Sequence, residues 1–73
     1  MISRREAARQ QGRSLRVART IAGLTPQELA ARAGIPRSTI AAYEAGRNLM
    51  PPEVRARLLA ALADADPDLP GAA

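Results

Sequence analysis

The 73-residue sequence contains no cysteine, histidine, tryptophan, phenylalanine or lysine. Without cysteine there is no disulfide and no thiolate metal site. Without histidine as well, most zinc sites and most nucleophile–base pairs are excluded. Tyr43 is the one aromatic residue, so the core must be aliphatic and alanine-rich. No run of 18 apolar residues is present, and nothing reads as a membrane span. The opening "MISRREAARQQG" lacks the apolar segment of a secretory signal and is too serine-poor for a transit peptide, so the expected compartment is the cytoplasm. The length predicts a single domain. Such a chain buries ~60–65% of its unfolded surface and draws roughly 3–5 kcal/mol of net stability from its core.

The formal net charge is +4, and all eleven cations are arginines. Together with the abundant alanine, this bias is what a GC-rich genome would produce. It also suits phosphate and guanine recognition, and the bias alone does not separate the two. The distribution is more telling. Residues 1–24 carry a net +5, residues 25–50 a net +1 and residues 51–73 a net −2. A basic N-terminal portion on a small domain points to an anionic partner.

Good helix formers dominate, and the chain reads as all-α. Ser3 and Glu6 form a candidate capping box for a first helix. Gly12 then interrupts the pattern. Since glycine costs ~1 kcal/mol within a helix, a break there with a restart at Ser14 is favoured over one helix from Arg4 to Ala22. The basic segment 1–13 is then an extension or helix of its own, and residues 14–63 form the domain proper. In "SLRVARTIAG", Leu15, Ala18 and Ala22 share a face, with Val17 and Ile21 beside it, and Gly23 ends the helix. Thr25, Pro26 and Glu28 are the cap, first position and box partner of a second helix. Its inward residues are Leu29, Ala30 and Ala33, and Gly34 ends it with a left-handed turn. Pro36 opens a third helix, with Ile40 and Tyr43 inward and Gly46 as its stop. A loop leads to Pro52, the expected first residue of a last helix striped by Val54, Leu58, Leu59 and Leu62. Residues 64–73 read as a flexible acidic tail. Its "DADPD" lacks the spacing and terminal Glu of a calcium loop, and no metal or cofactor is expected.

Helices below roughly 12–15 residues are marginal in isolation, so the pair within "GLTPQELAARAGIPRSTIAAYEAG" needs a reason. A helix, a tight glycine-containing turn and a second helix with a polar outer face make a helix-turn-helix unit. Ala30 must be small where the next helix crosses, Gly34 must take a positive φ, and Ile40 and Tyr43 must fill the gap between the helices. That geometry pushes one helix into a major groove about 12 Å wide. The segment "LRVARTIAGLTPQELAARAGIPRSTIAAYEAGR" resembles the phage-repressor and Cro-like helix-turn-helix family, often called XRE-type, over residues 14–62. The resemblance implies a small lambda-repressor-like bundle of four to five short helices.

It also implies roles for particular residues. Arg19 and Glu44 match an ion pair tying the first helix to the third, a structural role that outweighs a DNA contact by either. Base reading falls to Arg37, Ser38, Thr39, Ala41 and Ala42. Arg37 can form two hydrogen bonds to guanine O6 and N7, and otherwise serves as a phosphate contact or a solvated helix-start charge. The alanines touch only thymine methyls; with Thr39 turned partly inward, direct readout is thin and DNA shape supplements it. Thr25 and Gln27, at a positive helix end, and Arg47 and Asn48, in the loop after the third helix, match phosphate positions. Two departures stand out: Pro26 replaces the family's frequent phosphate-binding Gln, and Pro36 replaces a Ser or Thr cap. Arg4, Arg5, Arg9 and Arg13 lie outside the resemblance and are either a DNA-contacting arm or a solvated helix face.

The expected function is a DNA-binding transcriptional regulator, a repressor or Cro-like switch. It would act on double-stranded DNA as a homodimer, weak or DNA-assisted, joined through the last helix, the preceding loop or the N-terminal segment. The alternative is a protein-binding module on the same fold, such as an antitoxin or a phage factor docking on a host protein. An enzyme is not expected, because the acids sit at caps, in the ion pair and in the tail rather than in a cluster.

Overall fold

The computed structural model describes residues 1–65, which form four helices: α1 (Arg4–Ile21), α2 (Pro26–Ala33), α3 (Arg37–Glu44) and α4 (Pro52–Ala65). No strand occurs among the described residues. Most of the expected acidic tail, residues 66–73, lies outside them, including Asp66 and Asp68 of the "DADPD" stretch.

The first helix corrects the expected break at Gly12. It runs unbroken from Arg4 to Ile21, so residues 4–13 and 14–21 are one rod. Gly12 is buried there, and its role is close approach rather than interruption. A Cβ at this position would lie 2.2 Å from the Tyr43 carbonyl oxygen and 2.9 Å from that of Glu44. The backbone end of α3 therefore rests directly on α1, a separation that only glycine permits. At the N-terminus of α1 the Ser3 hydroxyl accepts the Glu6 amide at 3.1 Å, capping the helix. At the C-terminus the amides of Gly23 and Leu24 donate to the Thr20 and Arg19 carbonyls, closing the last turn and turning Leu24 into the core.

The α2 cap is as expected. The Thr25 hydroxyl accepts from the Glu28 amide, the Glu28 carboxylate accepts from the Thr25 amide, and Pro26 holds the first position. Gly34 ends α2 at φ 68°, a left-handed conformation open to glycine at little cost. Only Ile35 and Pro36 separate that turn from α3, whose cap residue Pro36 supplies no side-chain hydrogen bond.

α3 packs against both α1 and α2, while α4 backs α2. Leu29, Ile40, Leu58 and Leu62 are fully buried, and Leu15, Leu24, Ala30, Ala33, Ile35, Tyr43 and Ala61 complete the core. Leu59, expected in the stripe of α4, points to solvent instead at 56% exposure, and Val17 and Ile21, beside the inward face of α1, are 52% and 62% exposed. Each lies at the margin of a stripe that small neighbours already fill, with Ala18 and Ala22 on α1 and Ala61 on α4 packed against the core in their place.

Candidate nucleic-acid interface

Helical geometry sorts α3 into two faces. At about 100° per residue, Arg37, Ser38, Ala41 and the C-cap residue Ala45 share one side, and all four are exposed. Ile40 and Tyr43 lie opposite and are buried. Thr39 and Ala42 sit at the borders, half-buried. Of the five residues expected to read bases, three therefore face outward fully and two in part. Ala45, absent from that expected set, shares the outer face; its spacing of four from Ala41 is the signal that would have included it.

The outer face is held in place from behind. Arg19 of α1 meets Glu44 of α3 through two hydrogen bonds, Nε to Oε2 at 2.7 Å and Nη2 to Oε1 at 3.0 Å. Its remaining terminal nitrogen donates to the Leu24 carbonyl at 2.9 Å. One guanidinium thus ties α1, the chain entering α2 and the end of α3. The two side chains are only 14% and 13% exposed. The hydrogen bond that Arg19 donates to Glu44 raises the Arg19 pKa above its ordinary value, with burial opposing and charge attraction assisting. A forked, largely desolvated arginine–carboxylate pair is directional as well as strong, so it sets the orientation of α3.

The flanks of α3 carry the candidate phosphate contacts. At the start of α2, Pro26 has no amide hydrogen, the Glu28 amide is held by the Thr25 hydroxyl, and the Thr25 amide is held by Glu28. Among these first positions Gln27 retains an uncapped amide, while Thr25 can still offer its hydroxyl hydrogen. The Glu28 pKa is lowered, first by its bond from the Thr25 backbone, then by the Thr25 side chain, with a weaker assist from Arg32. The Glu28 carboxylate therefore sits at the same helix end as the candidate phosphate contacts Thr25 and Gln27, where its spacing from Thr25 put it. After α3, Gly46 takes φ 75°, and the Arg47 amide donates to the Ala42 carbonyl. Arg47 is left with its side chain to offer. Both Arg47 and Asn48 are exposed.

Two features escaped the sequence reading. Gln11 Oε1 accepts the Met50 amide at 3.0 Å and anchors the α3–α4 loop to α1. Arg4 and Arg5 line a cleft with Arg47 and Asn48. Both bring together residues far apart in the chain, which periodicity does not register. Among the described residues no cluster of acidic side chains is suited to a metal ion, and no helix is long and apolar enough to cross a membrane.

A family model described as a helix-turn-helix domain matches residues 5–69. No curated protein and no solved structure compared with the chain matches it. The match begins earlier than residue 14, where the resemblance begins, and takes in nearly all of α1. Domains of this kind serve DNA-binding regulators and are typically not enzymes. The chain belongs to the helix-turn-helix domain family, consistent with the XRE-type resemblance of its sequence and with a DNA-binding regulator in general.

Proposed function

We propose that the chain is a sequence-specific transcriptional regulator, a repressor or Cro-like switch, that inserts α3 into the major groove of double-stranded DNA. The observation that carries this reading is the division of α3 into an exposed Arg37–Ser38–Ala41–Ala45 face and a buried Ile40–Tyr43 face, oriented by the Arg19–Glu44 pair. Arg37 is the principal base reader, and a bidentate contact to guanine supplies about 1–3 kcal/mol of discrimination. Ser38 and the half-buried Thr39 add polar contacts at the groove, and Ala41 and Ala42 meet thymine methyls. Gln27, the Thr25 hydroxyl, Arg47 and Asn48 hold the backbone. Arg19 and Glu44 act through the position of α3. With so few readers on one module, the protein acts as a homodimer on two half-sites about one helical turn apart.

Selection from a randomised duplex pool tests this reading. An enriched palindrome with half-sites about 10–11 base pairs apart supports it; binding without any sequence preference overturns it. Arg37→Ala should lower discrimination at one guanine by roughly 5- to 150-fold, about 1–3 kcal/mol, measured by competition between the selected site and a single-base variant. The alanine-rich outer face of α3 favours a second reading, a protein-binding module such as an antitoxin or a phage factor docking on a host protein. Under that reading Arg37→Ala leaves DNA preference unchanged.

A further inference from the structure

The face of α1 that packs on the rest of the molecule runs through Ala8, Gly12, Leu15 and Arg19, all of them buried or half-buried. At about 100° per residue, Arg4 and Arg5 lie on the same stripe, one turn before Ala8. At the far end of the stripe Arg19 meets a carboxylate. At the near end Arg4 and Arg5 have passed the end of α3 and meet the loop instead. With Ala8, Gly46, Arg47, Asn48 and Leu49 they line a cleft of about 560 Å³. Among the described residues the one ion pair is Arg19–Glu44, so none of these three arginines is neutralised. Glu6, the sole acid of the segment, lies on the opposite side of the helix by the same angular count. The cleft is in the size range of ligand sites, and three arginines and an asparagine stand among its lining residues.

Resting on the reading of α3 as a DNA-binding helix, we infer that this cleft is a second phosphate-binding site, which takes the DNA backbone beyond the reach of the recognition helix. Arg47 is shared between the α3 flank and the cleft, so the two form one continuous basic track. The site carries no base information. It adds affinity and salt dependence, which a module with few base contacts needs. The unbroken course of α1 through Gly12 makes it possible, because a helix restarting at Ser14 would not fix Arg4 and Arg5 relative to the loop.

The test is the salt dependence of duplex binding by the full chain, followed by fluorescence anisotropy on the selected duplex. Arg4→Gln with Arg5→Gln should lower the slope of log K against log salt by about 1.8, since each neutralised phosphate contributes about 0.9. Site preference should stay as in the unaltered chain. Arg55→Gln with Arg57→Gln removes the same charge from exposed positions of α4 outside the cleft, and should change the slope by far less. Circular dichroism establishes that both variants remain folded. Equal slope changes in the two double variants overturn the site and leave only net charge. If the unaltered chain reads its site and the Arg4/Arg5 variant keeps its full slope, the cleft proposal alone falls, and an acidic protein segment becomes the better occupant. If the unaltered chain binds no duplex, the reading of α3 falls with it.

Discussion

Gly12 governs how near α1 can lie to α3. A methyl group at 2.2 Å from the Tyr43 carbonyl cannot be accommodated without moving backbone. Gly12→Ala should therefore destabilise the fold by about 1–3 kcal/mol, although alanine improves an ordinary helix position by ~1 kcal/mol. The urea midpoint measures which term wins. Glu28 illustrates a different conflict. Its folded pKa lies below its ordinary value because Thr25 donates to it, so its contribution to stability is complete above its unfolded pKa, about 4.3, and is lost as pH falls through the lower folded value. Glu28→Gln keeps an acceptor for the Thr25 amide and removes the charge. It should flatten the acid limb of the stability curve and tighten duplex binding, both measurable by titration. The Thr25–Glu28 box was legible because its partners are three residues apart. The role of Gly12 was not, because the carbonyls that require it belong to another helix, and a mid-helix glycine viewed alone resembles a break.

At the scale of the element, α2 and α3 have eight residues each. Helices of that length do not persist alone, so α3 depends on what grips its ends. Its start has a proline cap without a side-chain bond. Its end has the Arg19 fork, the Gly12 approach and the Ala42 carbonyl closed by the Arg47 amide. A double-mutant cycle on Arg19→Met and Glu44→Gln should give a coupling of about 2 kcal/mol, within the 1.5–3 expected of charged hydrogen bonds. The single variants should also weaken duplex binding, although both side chains are largely buried behind the outer face of α3. The boundaries of α2 and α3 were readable because Thr-Pro and Gly at one helix, and Pro and Gly at the other, leave the backbone few choices. The start of the cleft was not, because it depends on where a continuous α1 carries Arg4 and Arg5 past the loop.

Across the whole molecule a few side chains do most of the holding. Ile40 is fully buried beneath the outer face of α3. Ile40→Ala should cost about 2–5 kcal/mol, comparable with the roughly 3–5 kcal/mol a core of this size supplies, so the variant should be largely unfolded by circular dichroism at 25 °C. Leu59, at 56% exposure, is the contrasting case. Leu59→Lys should change stability by less than about 0.5 kcal/mol, seen as an unshifted thermal midpoint. The apolar periodicity of the sequence placed Leu59 in the core and Ile40 there too. The difference lies in how many small residues already fill the crossing, a property of helix packing that no single stripe carries.

Tyr43 gives the molecule an optical consequence. It is the only aromatic side chain, it is buried, and its carbonyl lies at the α1–α3 crossing. Near-ultraviolet emission from this chain therefore comes from one ring at one joint, with no tryptophan to obscure it. Emission follows that joint alone, whereas far-ultraviolet dichroism sums over every helix. Coincident midpoints from the two signals mean that the joint and the helices melt as one unit; an earlier midpoint in emission means that α3 loosens from α1 while the remainder is still wound.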